Sequence, residues 1–159
     1  MMLASGICRN LELEQAGASV GLGVDGSASN DGSNLVNELR MATYIQRLRY
    51  GSASVSHLDA FRWATQGSAR NIGRNDIGTL TKGMLADIAM FKLDEIQFSG
   101  SHDPLAALVL CGAHRADRVM VNGEWRVVNG VIVDLDTQEL MAKHRAAAKR
   151  LAQKAASMK

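Results

Sequence analysis

Residues Ser19–Val24 read SVGLGV and run directly into Asp25 and a polar, glycine-containing loop, DGSASNDGSN, over positions 25–34. Gly21 and Gly23 alternate with Val20, Leu22 and Val24, the pattern of a strand crowded on one face, as in a parallel sheet or a barrel interior. The strand is predicted to end at Asp25. A lone strand of this kind leaves two rows of backbone N–H and C=O groups without partners. The segment therefore reads as part of a larger sheet whose other strands are absent from these 159 residues.

On the N-terminal side, Leu11–Gly17 reads as the end of a helix, with Gly17 as its stop. On the C-terminal side, Leu35, Leu39, Ala42, Ile45 and Leu48 recur every three or four residues and predict a long helix closed by Gly51. A second helix is predicted from Ser56, where Ser56 and Asp59 have capping-box spacing, with Leu58, Phe61, Thr65 and Ala69 on one face, through Ile72 to a stop at Gly73. A loop reaches Gly83, and Ala86–Leu93 (ADIAMFKL) predicts a strand. Asp103-Pro104 breaks the chain ahead of a short helix, Leu105–Leu110, with Pro104 at its first turn and Leu105, Leu108 and Val109 sharing a face. RVMVNGEWRVVNGVIV, residues 118–133, carries Asn122-Gly123 and Asn129-Gly130 between valine- and isoleucine-rich runs. Type I′ turns need positive φ at both central residues, so this predicts a three-stranded antiparallel meander. Leu135 onward reads as helix, basic and alanine-rich from Lys143 to Lys159. Its composition is open to an anion-binding tail, but a solvated terminal helix is the simpler reading.

With 47% apolar and 21% charged residues, the chain has the balance of an ordinary globular domain. A formal charge of +2 gives no reason to expect nucleic acid or an anionic membrane as partner. No apolar run approaches the ~20 residues of a membrane span, and Met1–Asn10 lacks a basic-then-apolar signal pattern, so a cytoplasmic location is expected. Cys8 and Cys111 form neither a CxxC pair nor a disulfide framework and read as free thiols.

Asp25 is the candidate for chemistry: a carboxylate directly after a small-residue strand sits where a barrel presents catalytic groups. On spacing alone, a simple turn aspartate followed by glycine stays equally open. His57, His102, His114 and His144 are isolated and form no HxH, HExxH or HxxxH pair, so each reads as structural or exposed. His102-Asp103 reads as a loop that starts a helix, and Trp63 and Trp125 as packing residues. P-loop, GxSxG and GxGxxG patterns are missing.

GLGVDGSASNDGSNL (Gly21–Leu35) resembles the motif that ends the eighth barrel strand in the amidohydrolase superfamily, in the branch of aromatic deaminases and chlorohydrolases. The form Val-Asp-Gly-Ser at Val24–Ser27 is similar to that of 8-oxoguanine deaminases and hydroxyatrazine-type aminohydrolases. WATQGSARNIGRNDIGTLTKGMLADIAMF (Trp63–Phe91) resembles the superfamily's passage from helix to β domain. HDPLAALVLCGAHRADRVMVNGEWRVVNG (His102–Gly130) resembles the closing part of that domain, and LASGI (Leu3–Ile7) the loop after the seventh strand.

The resemblance implies an α/β fold: the C-terminal fragment of a (β/α)8 (TIM) barrel plus part of a small β-sandwich domain. Residues 1–76 would be the last strand and helices of the metal-dependent barrel, 77–134 the β-domain part and 135–159 a C-terminal helix. It implies a divalent metal, zinc or alternatively iron, held by several histidines and the eighth-strand aspartate. Asp25 is the only position here that matches a metal ligand. The implied activity is metal-dependent hydrolytic deamination of a purine-like base, 8-oxoguanine to urate and ammonia. The matching HxH pair, later histidines and acid-base glutamate are not in this sequence, so the chain alone is expected to be inactive, with weak metal binding or none. Its expected partners are a heterocyclic amine and either further copies of itself or the missing N-terminal part. The alternatives are a triazine or hydroxyatrazine-type aminohydrolase and a non-catalytic, self-associating remnant.

Overall fold

The computed structural model describes residues 4–112 and 115–158. Leu3 of the LASGI stretch, His114 and Lys159 lie outside the described residues. A helical layer comes first. Helix α1 (Asn10–Gln15) ends where Gly17 takes φ +83. Helix α2 (Leu35–Tyr50) opens on the Asn34 side chain, which accepts from the Val36 N–H at 2.9 Å, and closes at Gly51 with φ 104. Both stops were legible as glycines, because a left-handed residue costs little without a Cβ.

Helix α3 (His57–Arg62) carries the predicted capping box: Asp59 N–H donates to Ser56 Oγ at 3.2 Å and Ser56 N–H to Asp59 Oδ2 at 2.9 Å. The helix then widens into a π-turn, Trp63–Gly67, before the short α4 (Ser68–Asn71). That turn rotates the buried face. Ala60, Trp63, Gly67 and Ala69 are buried, whereas Leu58 and Thr65, expected on the inner face, are exposed. In α2 the buried stripe is Leu39, Thr43 and Gln46, and Leu35 and Leu48 face outward. Periodicity placed these helices correctly and misjudged which residues line their inner faces.

The main core joins Leu39, Val55, Ala60, Trp63 and Val109, with Val20 and Leu22 packed against it. A second cluster, Phe98, Ala107 and Leu108, shares Phe61 with the first. Helix α5 (Pro104–Ala107) is capped by Asp103, which accepts from Leu105 and Ala106 N–H at 3.0 Å, and runs into a second π-turn, Leu108–Gly112.

The sheet is a four-stranded antiparallel ladder in the order β1 (Ile88–Met90), β2 (Arg118–Val121), β3 (Glu124–Val128), β4 (Val131–Ile132). The meander and its two turns stand as expected, with φ +49 and +81 at Asn122-Gly123 and +52 and +72 at Asn129-Gly130. The strand expected over Ala86–Leu93 narrows to Ile88–Met90 and joins β2, with Ile88 opposite Met120. Helix α6 (Thr137–Ser157), capped by Asp136, buries none of its residues. No helix among the described residues is long and apolar enough to cross a membrane.

Ser19–Val24 departs from expectation, since it pairs with no strand among the described residues and carries no ladder. Side chains of α4 hold its backbone instead. Ser68 Oγ accepts from the Leu22 N–H at 3.1 Å and lies 3.0 Å from the Leu22 carbonyl oxygen. Asn71, with its amide turned to satisfy both partners, donates to the Ser19 carbonyl and accepts from the Gly21 N–H, each at 3.1 Å. Ladder hydrogen bonds need a neighbouring strand, and without one buried backbone groups take side-chain partners.

Candidate functional site

Asp25 closes the Ser19–Val24 segment with φ +61, the left-handed region that aspartate and asparagine tolerate better than most residues. Its side chain is exposed and is held by its own turn. Oδ1 accepts from the Gly26 N–H at 2.8 Å and Oδ2 from Ser29 Oγ–H at 2.7 Å. The Gly26 carbonyl in turn accepts from Ser29 N–H and Asn30 N–H, both at 2.9 Å. Asn30 then anchors the loop to α2, donating from Nδ2 to Glu38 Oε1 at 2.7 Å. The Ser29 hydroxyl, and second the Gly26 N–H, hold the Asp25 carboxyl below its usual range by stabilising the ionised form.

This arrangement presents an ionised carboxylate with one hydrogen bond on each oxygen and a free lone pair on each. It fits one place in a metal donor set. Among the described residues there is no group of three or more His, Cys, Asp or Glu able to hold a metal ion. Zinc normally takes at least three protein ligands, so Asp25 alone is not a metal centre.

The histidines lie elsewhere. His57 Nε2 is 3.2 Å from Asp103 Oδ2, so Asp103 pairs with His57 across two helices rather than with its neighbour His102. The Ala106 N–H, with the His57 pairing as a lesser cause, holds the Asp103 carboxyl below its usual range. Cys8 and Cys111 are free and exposed. Trp63 is 1% exposed in the core, and Trp125, on β3, lies under the Arg118 guanidinium at 5.8 Å.

Two clefts flank the Asp25 segment. One, of about 440 Å³, is bounded by Val20, Gly23, Met41, Ile45 and Gln46, and the other, of about 420 Å³, lies between residues 32–36 and the sheet at Phe91 and Arg115. Asp25 lines neither. Ser29, Asn30 and Glu38 were not singled out from sequence. The signal was present, because a serine four residues after an aspartate in a glycine-bearing turn is placed to donate back to it.

A small-residue segment ending in a fixed carboxylate, backed by helices and followed by a short antiparallel sheet, defines part of an α/β hydrolase barrel with a small β domain. The chain belongs to the amidohydrolase family, whose model matches residues 1–126. It is 63% identical over 151 residues to the 8-oxoguanine deaminase of Pseudomonas aeruginosa, covering 95% of this chain and 34% of that protein. It is 39% identical over 132 residues to the hydroxydechloroatrazine ethylaminohydrolase of Pseudomonas sp. (strain ADP), covering 79% of this chain and 27% of that protein. The crystal structure of an adenosine deaminase from Xanthomonas campestris with bound zinc superposes with a TM-score of 0.88 at 28% identity, over 95% of this chain and 35% of the other. The chain thus spans about a third of the length of these proteins and has part of their (β/α)8 barrel fold.

Proposed function

We propose that this chain supplies one ligand to a metal-dependent hydrolytic deaminase that converts 8-oxoguanine to urate and ammonia, the remaining ligands coming from outside these residues. The observation that carries the reading is the Asp25 carboxylate, held ionised at the tip of Ser19–Val24 by Ser29 and Gly26. The substrate class rests on the 63% identity to the Pseudomonas aeruginosa 8-oxoguanine deaminase. Likeness to the zinc-bearing Xanthomonas campestris structure favours zinc over iron.

When bound, a divalent metal supplies hydroxide from water at neutral pH, because it lowers that water's pKa to about 7. Asp25 is suited to accept a proton on a carboxylate oxygen and pass it to departing ammonia. Ser29 and the Gly26 N–H hold both oxygens in register, and Asn30 ties their turn to Glu38 on α2. In this reading residues 1–76 belong to the barrel, 77–134 to the β domain and 135–159 to an appended helix, and the protein is cytoplasmic.

A protein in which this chain replaces the matching third of the Pseudomonas aeruginosa enzyme tests the assignment. Ammonia released from 8-oxoguanine supports it. Release of amine only from hydroxylated triazines moves the substrate to the second reading, which the 39% identity to the atrazine-pathway enzyme motivates.

The chain by itself is proposed to self-associate. Leu48, Leu80 and Ile96 are 80%, 81% and 89% exposed, and the Ser19–Val24 segment has no strand partner among the described residues. A monodisperse monomer in sedimentation, with a cooperative thermal transition, would contradict this.

A further inference from the structure

Four Asx-Gly steps occur in the chain: Asp25-Gly26, Asp31-Gly32, Asn122-Gly123 and Asn129-Gly130. Each could in principle close to a succinimide, because glycine leaves the following amide nitrogen sterically open. What separates them is where that N–H points. The Gly123 N–H donates to the Ala86 carbonyl at 3.1 Å and the Gly130 N–H to the Asp117 carbonyl at 2.8 Å, so the sheet holds both away from their asparagines. The Gly32 N–H donates to Asn30 Oδ1 at 3.1 Å, the side chain of a different residue. Only at Gly26 does the N–H lie on the carboxyl group it would attack, 2.8 Å from Asp25 Oδ1.

Two further features favour reaction there. The Ser29 hydroxyl donates to Asp25 Oδ2 at 2.7 Å, on the oxygen that would leave. Asp25 and Gly26 are both exposed, and nothing lies within 4 Å of where a Cβ on Gly26 would stand, so packing does not restrain the turn.

We propose that Asp25-Gly26 is a site of spontaneous isoaspartate formation, set up by the Gly26 amide and Ser29 hydroxyl on its two carboxyl oxygens. The Gly26 nitrogen forms a bond to Asp25 Cγ while the Cγ–Oδ2 bond breaks. The amide proton and the carboxyl hydroxyl depart together as one water. A second water then opens the imide at either carbonyl, returning aspartate or leaving isoaspartate. No oxidant or other reagent is needed. In isoaspartate the main chain is longer by one methylene and the carboxylate stands directly on Cα, so it is displaced from the position described above. The chemistry depends only on the turn and is independent of the deaminase reading.

The test is incubation of the 159-residue chain in neutral buffer at physiological temperature, followed by digestion and electron-transfer fragmentation, which separates the two isomers. The expected result is isoaspartate at position 25 accumulating several-fold faster than at position 31, with Asn122 and Asn129 retaining their amides. Gly26→Ala, which adds a methyl into open space, is expected to suppress it without unfolding the chain. Ser29→Ala is expected to slow it. Equal rates at Asp25 and Asp31, deamidation at Asn122 or Asn129 ahead of any change at Asp25, or no effect of Gly26→Ala would each overturn the proposal.

Discussion

The Ser68 hydroxyl sits on both backbone groups of Leu22, 3.1 Å from its nitrogen and 3.0 Å from its carbonyl oxygen. One side chain from α4 thereby replaces two ladder bonds for a strand-like segment that ends in the candidate catalytic carboxylate. Ser68 also lies 3.0 Å from the Trp63 carbonyl, so it ties the π-turn to the same segment. Ser68→Ala leaves the Leu22 N–H without this partner in a half-buried setting. It is expected to destabilise the chain by about 1–3 kcal/mol, read as a lower midpoint in urea unfolding.

Gly67 lies against the Val20 carbonyl oxygen so closely that a methyl group there would overlap it. Backbone meets backbone at this point, and neither side can rotate away. Gly67→Ala is therefore expected to cost more than Gly23→Ala, whose added methyl meets nothing within 4 Å. Thermal melting of the two variants side by side checks this, and equal melting points would show that the contact does not restrain the fold.

The Asp25 turn makes a pH-dependent statement. The folded carboxyl is held below its usual range, first by Ser29 and then by Gly26, so the unfolded chain binds a proton more readily. The contribution to stability is complete above the unfolded pKa and is lost as pH falls through the depressed folded value. Carbon-detected NMR titration is expected to place the Asp25 midpoint below that of an unstructured aspartate. In Ser29→Ala the midpoint should move upward, and an unchanged midpoint would show that the hydroxyl is not the main cause.

How far these features were legible in the sequence follows from the range of the forces involved. Gly17, Gly51 and Gly73 stopped helices, Ser56 and Asp59 formed their box, and the two Asn-Gly pairs formed their turns, because each depends on neighbours a few residues apart. Asp25 was found from its place after a small-residue run, and the family from the blocks around it. The π-turns at Trp63–Gly67 and Leu108–Gly112 left no mark in periodicity, and they moved the buried faces away from Leu58, Thr65 and Leu105. The strand at Ser19–Val24 was read from a pattern that presumes partner strands, and none is present among the described residues. The His57–Asp103 pair spans 46 positions and could not be seen from spacing.

Helix α6 gives a further expectation. None of its residues is buried, and its Glu139–Lys143 pair at 2.6 Å is exposed and lies within the helix itself. Such surface pairs contribute little. Deleting residues 137–159 is expected to leave the thermal midpoint of the rest unchanged, and a clear drop in differential scanning calorimetry would reveal a stabilising contact.

The account stands or falls on the carboxylate of Asp25. The decisive measurement is the rate of ammonia release from 8-oxoguanine by the chimeric enzyme carrying this chain, compared with the same enzyme bearing Asp25→Asn and with the zinc content of both. Removing a proton-accepting ligand is expected to slow turnover by roughly 10²–10⁴-fold and to lower bound zinc. Unchanged turnover with full zinc in the Asp25→Asn protein would contradict the role assigned to this residue.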